Sequence, residues 1–317
     1  MISFVVRRLA VSVVALMGIS MALFALTRFI PGDPVSMYIN PLTFEGDREA
    51  AIAALRAELG LDQPVPVQYL AWLGQVFQGN LGFSITTGRP VTELIMNRLP
   101  ATAYLMLTSL TISIVVGVIG GVIAALRKNT ITDYATLLTS LMIASVPTFF
   151  IAMVGIYVFG LRLQWLPTAG INVPNGSWGE AFRHLIMPAG IMGISGAVGY
   201  IRWSRSSMLD VLDQDYMVTA RSKGLSNGRV VVVHGLRNAL IPLVTILAMT
   251  IPSLFGGSVI IEQIFAWPGT GRMAIDAISN RDYPVIMGFV MITTVLVLLC
   301  NLIADVTYAI IDPRIRL

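Results

Sequence analysis

Six stretches of the chain are apolar for long enough, or nearly so, to cross a lipid bilayer: Leu9–Leu26, Ala101–Leu126, Tyr134–Phe159, Ile186–Ile201, Ala239–Ile264 and Pro284–Ile311. Hydrocarbon holds no water to satisfy the backbone, so a run of about 20 apolar residues must close its hydrogen bonds within itself, as a helix does. This one feature predicts an all-α integral membrane protein with six transmembrane helices. The run at Ile186 is short, and fills a span only if it extends back through His184 and forward to Trp203 with the polar groups at the interfaces. Composition agrees: 12% of the 317 residues are charged, against roughly 25% in a soluble domain.

Arg7 and Arg8 before an apolar stretch could also open a secretory signal. That stretch outruns a usual signal core, however, and "TRFIPGDP" offers no small-residue cleavage site, so it is read as a retained helix. Positive charge then sets the orientation. Twelve of the 21 lysines and arginines fall in four places: the N-terminus (Arg7, Arg8), the second-to-third connection (Arg127, Lys128), the region 202–237 (Arg202, Arg205, Arg221, Lys223, Arg229, Arg237) and the C-terminus (Arg314, Arg316). Both termini are therefore expected in the cytoplasm, with Glu45, Glu58, Glu93, Glu262 and Asp282 among the acids outside or at the outer border. The net charge of +4 follows from topology and gives no reason to invoke nucleic acid.

On this reading residues 1–30 are an N-terminal transmembrane helix, 31–100 an extracytoplasmic helical insertion, 101–311 a five-helix transmembrane core and 312–317 a cytoplasmic tail. The insertion opens with the turn "PGDP". It then predicts a helix over Asp47–Gly60, with Ala51, Ile52, Leu55 and Leu59 on one face, and another over Val67–Phe77 carrying Leu70, Trp72, Leu73 and Phe77. Both would lie on the membrane surface or on a partner. Outside loops are expected at 162–183 and 265–283; Trp267 and Tyr283 in the second are read as an interfacial aromatic belt in preference to ligand contacts.

The chain carries no catalytic constellation. Its two histidines, His184 and His234, fall on opposite expected sides, its one cysteine, Cys300, sits mid-span, and neither "GTG" nor "GGS" leads into a phosphate-cradling Gly-Lys-Ser/Thr. No cofactor or metal is expected in this chain. Among ionisable residues only Asp305 stands clearly within an apolar run, and an interfacial or helix-pairing role is preferred for it over proton coupling. An ion-driven transporter would show more such groups, so the energy is expected to come from elsewhere.

The polar interlude at 206–241 is patterned. "DQDYMVTARSKG" predicts a short helix with acids at its start, bases at its end and Gly224 in the left-handed position beyond it; Ser226 or Asn227 can cap a second helix running through "VVVVHGLRN" towards Pro242. The outcome is a helix–glycine–helix bracket tied at both ends to spans. From the residues alone it could lie on anionic lipid or dock a partner.

"YMVTARSKGL" followed by "HGLRNALIP" resembles the coupling motif of ABC-importer permeases, in the form found in the dipeptide/oligopeptide family. Aligned on Gly224, the general Glu-Ala-Ala form meets Val218, Thr219 and Ala220, and Pro242 lies later than in that form; the altered, longer version is similar to the peptide-permease branch. Further similarities run in order along the chain: "RRL" at 7, "PGDP" at 31, "ELGLDQP" at 58, "GNLGFS" at 79, "RLPAT" at 98, "RSSMLDVL" at 205, "IEQIFAWPGTGR" at 261, "RDYPV" at 281 and "DPRIR" at 312. The large segment after the first helix resembles the first of that family's two permease subunits.

The resemblance implies a type I importer permease fold in a prokaryotic inner membrane. The implied partners are a second homologous permease, two cytoplasmic ATPase subunits holding ATP and Mg, an extracytoplasmic solute-binding protein and the surrounding lipid. It makes Ala220 and Gly224 the nearest matches to the coupling motif, with Asp215, Tyr216, Thr219, Arg221, Lys223, Leu225 and His234 as expected ATPase contacts. The implied cargo is a di- or oligopeptide, with glutathione, a nickel complex or an oligosaccharide as alternatives. A stand-alone secondary transporter, active without ATP or partners, is the rival from another class.

Overall fold

The computed structural model describes residues 2–29, 50, 62–170, 178–240, 243, 246, 250 and 258–311. The expected helix over 47–60, the "PGDP" turn, most of the fifth span with Pro242, and the tail from 312 lie outside them. Among the described residues the chain is helical, and its one extended pairing is an isolated bridge between Phe83 and Pro90. Four of the described helices are long and apolar enough to cross a membrane, or five if a bent pair counts as one span. The chain divides into two compact units, Leu99–Arg272 with Leu299–Leu317, and Ile2–Arg98 with Met273–Leu298.

In the smaller unit, α1 (Ile2–Phe29) carries Met17, Ser20 and Phe24, against which α2 (Val65–Phe77) lays Tyr69, Trp72 and Leu73. The rings of Phe24 and Tyr69 meet edge-on at 5.6 Å, and the Tyr69 hydroxyl shares a 2.8 Å hydrogen bond with Ser20. α2 begins two residues earlier than expected, because Pro66 suits a first helical turn, where its missing N–H has no partner to lose. Leu70 and Phe77 point away from this contact, 64% and 76% exposed, so α2 has a second apolar stripe.

α3 (Val91–Leu126) starts ten residues before the predicted span and runs on through Pro100. Residues 91–100, expected at the end of the outer insertion, are thus helix continuous with the span. Hydropathy marks the stretch that must face hydrocarbon, whereas backbone hydrogen bonding carries a helix on beyond it. The same holds for α6 (Trp178–Leu212), which surrounds the short run expected at 186–201 and contains Pro188. In the smaller unit Val91 and Ile95 of α3 pack with Met273 and Ala277 of α9 (Thr270–Ser279) and Val285 of α10 (Tyr283–Ile311).

The third predicted span, Tyr134–Phe159, is not one helix. It breaks into α4 (Ile131–Ser145) and α5 (Thr148–Arg162), bent by 96°. Pro147 causes the break: it has no N–H to continue the ladder, and it forces Val146 into extended backbone at φ −101°, ψ 128°.

In the larger unit α3 and α6 approach through small residues on both helices. A Cβ at Gly117 would come within 2.2 Å of Tyr200 Cβ, one at Gly121 within 2.5 Å of the Ile201 carbonyl, and one at Gly193 within 2.6 Å of Ile112. Ser113 Oγ donates across the interface to the Gly193 carbonyl at 2.8 Å. Lipid tails are as apolar as leucine, so helices in a bilayer associate through close packing and interhelical hydrogen bonds of this kind and not through a hydrophobic gain.

Candidate functional site: the polar bracket

Beyond Leu212 the chain turns at residues 213–214 and enters α7 (Asp215–Ser222). Asp215 lies in its first turn and Arg221 in its last, each favouring the helix dipole. The backbone then reverses at Gly224, whose φ of +77° is the left-handed conformation the sequence predicts, and Gly224 N–H donates to the Arg221 carbonyl at 2.9 Å. The Ser226 carbonyl accepts from Val230 N–H at 3.0 Å as α8 (residues 227–239) begins. Over Val230–Leu236, α8 widens to i→i+5 hydrogen bonding, which neither its pattern nor its caps predicted.

Inside the bracket Met217, Ala220 and Val230 form a closed apolar contact, flanked by Val211, Leu212 and Leu225. Ala220 therefore faces inward, 6% exposed, while Asp215, Tyr216, Thr219, Arg221, Lys223 and Gly224 are exposed and Leu225 and His234 half-buried. The Tyr216 hydroxyl accepts from Asn238 Nδ2 at 3.2 Å, tying α7 to the end of α8. Thr219 Oγ1 donates back to the Asp215 carbonyl at 3.0 Å. Val218, Val232, Val233, Arg229 and Arg237 are exposed as well. Nine residues singled out from sequence thus share one small element, six of them on its surface.

The opposite face of the bracket is fixed to the transmembrane helices. Ser207 Oγ on α6 donates to the Ala239 carbonyl at 2.8 Å, and Met208 packs with Ala125 and Ala239. Gly235 lets Met208 close in: a Cβ there would meet the methionine methyl at 2.7 Å. Three residues before Met208, Arg205 forks onto Asp133 of α4, its Nε donating to Oδ1 at 2.6 Å and its Nη2 to Oδ2 at 2.7 Å. Asp133 is 1% exposed and also accepts from Asn129 N–H at 3.0 Å. Sequence reasoning missed this pair, since its members are far apart and each lies next to a run of other charges or at a span's end.

One expectation fails in the same unit. Trp267 belongs to no interfacial belt: it is 2% exposed, packs with Leu105, Met187 and Phe265, and its Nε1–H donates to the Ala101 carbonyl at 2.9 Å. Glu262 is fully buried within the chain, accepting from Thr102 Oγ1 at 2.8 Å and from Gly271 N–H at 2.7 Å at the start of α9. Asp133 and Glu262 are thus buried acids that hydropathy does not single out. In the smaller unit Asp282 accepts from the Ser84 and Thr86 hydroxyls at 2.5 and 2.8 Å and from the N–H groups of Ile85 and Thr86 at 3.2 Å each. Each acid joins two of the quoted motifs, Glu262 linking "IEQIFAWPGTGR" to "RLPAT" and Asp282 linking "RDYPV" to "GNLGFS". Among the described residues no three His, Cys, Asp or Glu side chains converge as metal ligands.

Residues 117–317 match the family described as "Binding-protein-dependent transport system inner membrane component", and residues 1–106 its N-terminal counterpart. A putative peptide permease of Brucella ovis is 44% identical over 319 residues, covering 100% of this chain and 99% of its own. The oligopeptide transport system permease protein AppB of Bacillus subtilis is 43% identical, covering 100% of both chains, and the glutathione transport system permease protein GsiC of Escherichia coli K12 is 38% identical, covering 100% and 99%. Among solved structures, a chain of the MetNI methionine ABC transporter, inward facing, matches at TM-score 0.56 and 16% identity over 69% of this chain and 96% of its own. A chain of an amino acid ABC transporter matches at TM-score 0.52 and 15% identity, over 68% and 93%.

Proposed function

The chain belongs to the family of binding-protein-dependent transport system inner membrane components, and from that premise we propose how it works: its bracket is gripped by a cytoplasmic ATPase subunit whose ATP-driven movement switches the pore between outward and inward access. The chain is a multi-pass inner-membrane permease subunit of an ABC importer with the type I fold. One observation carries the coupling reading, the two-sidedness of the bracket. Its exposed surface carries Asp215, Tyr216, Arg221 and Lys223, and its buried side is held to α6 through Ser207 and Met208. A loop resting on lipid has no need of such a mounting.

In this reading a second, homologous permease completes the pore, two ATPase subunits carry the ATP and Mg, and an extracytoplasmic protein delivers the solute; this chain performs no catalysis itself. Its termini and bracket face the cytoplasm, as the lysine and arginine asymmetry favours. The cargo is a di- or oligopeptide, supported by similarity to AppB and to the Brucella protein. Glutathione, itself a tripeptide, is the second candidate because of GsiC.

The test is to tag the chain, extract it from its native membrane in mild detergent, identify what accompanies it by mass spectrometry and assay ATP hydrolysis with candidate solutes and their binding protein. A second permease and ATPase subunits in the eluate, with hydrolysis stimulated by one solute, are expected, and that solute names the cargo. A chain that emerges alone, under conditions that keep other membrane complexes intact, would refute the reading and favour a secondary transporter.

A further inference from the structure

The geometry points to the Asp133–Arg205 pair as the joint that passes a displacement of the bracket on to α4, which makes both residues positioning residues for transport. This rests on the bracket being the ATP-driven element.

The last turns of α6 meet a different neighbour at nearly every residue. Ser204 lies against α3, where a Cβ on Gly121 would be 2.5 Å from its own Cβ. Arg205 reaches α4, Ser207 holds the Ala239 carbonyl of the bracket, and Met208 fills the space over Gly235 between bracket and helices. Any rigid movement of the bracket therefore bears first on Ser207 and Met208, within one turn of Arg205.

What α6 can transmit depends on the nature of each contact. The Ser204–Gly121 approach is close van der Waals packing, which carries no directional bond of its own. The Arg205 fork differs: two parallel charge-assisted hydrogen bonds fix both distance and angle. The Asp133 side chain is 1% exposed and that of Arg205 21%, so drawing the pair apart would take two hydrogen bonds from a covered carboxylate. Asp133 is bound a second time, by Asn129 N–H from the turn between α3 and α4, a residue at φ +62°. When the end of α6 moves, the start of α4 and the turn before it have to move with it. Beyond Pro147 the 96° bend turns α4 into α5, so a tilt at the bracket end of α4 redirects α5.

The test compares the intact importer complex, reconstituted in liposomes, with complexes carrying Asp133→Asn or Arg205→Lys. A defined mixture of di- to hexapeptides serves as probe, uptake is counted by mass spectrometry, and uptake is divided by ATP hydrolysed in the same vesicles. Asp133→Asn removes the charge pair; Arg205→Lys keeps the charge and loses the fork. ATP hydrolysis within twofold of the unsubstituted complex is expected for both, with uptake per ATP falling at least fivefold for the first and at least twofold for the second. A role in stability alone would lower the yield of complex and leave uptake per ATP unchanged; that result in either variant overturns the inference. Should Asp133→Asn fail to assemble, Arg205→Lys decides by the same ratio. No ATP-driven uptake by the unsubstituted complex would overturn the reading of function and this inference with it, whereas normal uptake there and an unchanged ratio in the variants would sink the inference alone.

Discussion

Gly224 shows how much one residue's backbone can decide. Nothing lies within 4 Å of the place where its Cβ would be, so the objection to any replacement is conformational, φ +77°, and not steric. Gly224→Ala is expected to destabilise the bracket by about 1–2 kcal/mol, the cost of holding an L-residue left-handed, and Gly224→Asn by less. Limited proteolysis at the bracket reads this out; equal resistance in all three proteins would contradict it. Asp282 offers a pH test. Burial pushes its carboxyl up, but the hydroxyls of Ser84 and Thr86 and the N–H groups of Ile85 and Thr86 outweigh that and hold it below its ordinary range. The folded state thus favours the charged form. The resulting stability is complete above the unfolded value of about 3.9 and lost as pH falls through the lower folded value. Asp282→Asn should cost about 2–3 kcal/mol at pH 7 and flatten the acid limb of a thermal-melt series, whereas parallel limbs in both proteins would argue against the clamp. At this scale sequence patterns revealed Gly224, because a helix end needs a left-handed residue there. They were silent on Asp133, Glu262 and Asp282, since a single buried acid leaves no periodic trace and its donors lie up to 198 positions away.

Among the elements, the glycines of the α3–α6 contact divide by what they face. A Cβ at Gly121 would meet backbone at 2.5 and 2.9 Å, atoms that cannot swing aside, whereas one at Gly199 meets nothing within 4 Å. Gly121→Ala is expected to cost about 1–3 kcal/mol and Gly199→Ala to be neutral or slightly stabilising, as read from unfolding midpoints in detergent. Equal effects would remove the case for close packing at Gly121. The bend at Pro147 predicts a distance: spin labels at the exposed positions Leu138 and Met153 would stand about 22 Å apart along a straight helix, and should be clearly closer across a 96° turn. Pro147→Ala should lengthen that distance. Helix existence was largely legible in the sequence, because a bilayer demands long apolar runs. Helix ends were not: α3 and α6 extend into polar sequence where hydropathy has nothing to say, and Pro147 broke a run whose composition was uniform.

For the molecule as a whole, membrane class and family were both readable, the first from apolar length and the second from eleven short motifs in fixed order. The structure adds that several of those motifs act on one another, as the Glu262 and Asp282 clamps show. Removing residues 45–60 from the outer insertion is expected to reduce solute uptake at least twofold while leaving basal ATP hydrolysis intact; unchanged uptake would deny the insertion a part in delivery or sealing. The α3–α6 contact also bears on how the protein is made. Gly117 and Gly121 leave the ribosome about 80 residues ahead of the Tyr200 and Ser204 they receive. At roughly 5–20 residues per second, that leaves a notch on α3 open for several seconds. Lipid chains, or a membrane chaperone, must occupy it during that time and then give way, so the last step of biogenesis here is an exchange of one apolar neighbour for another.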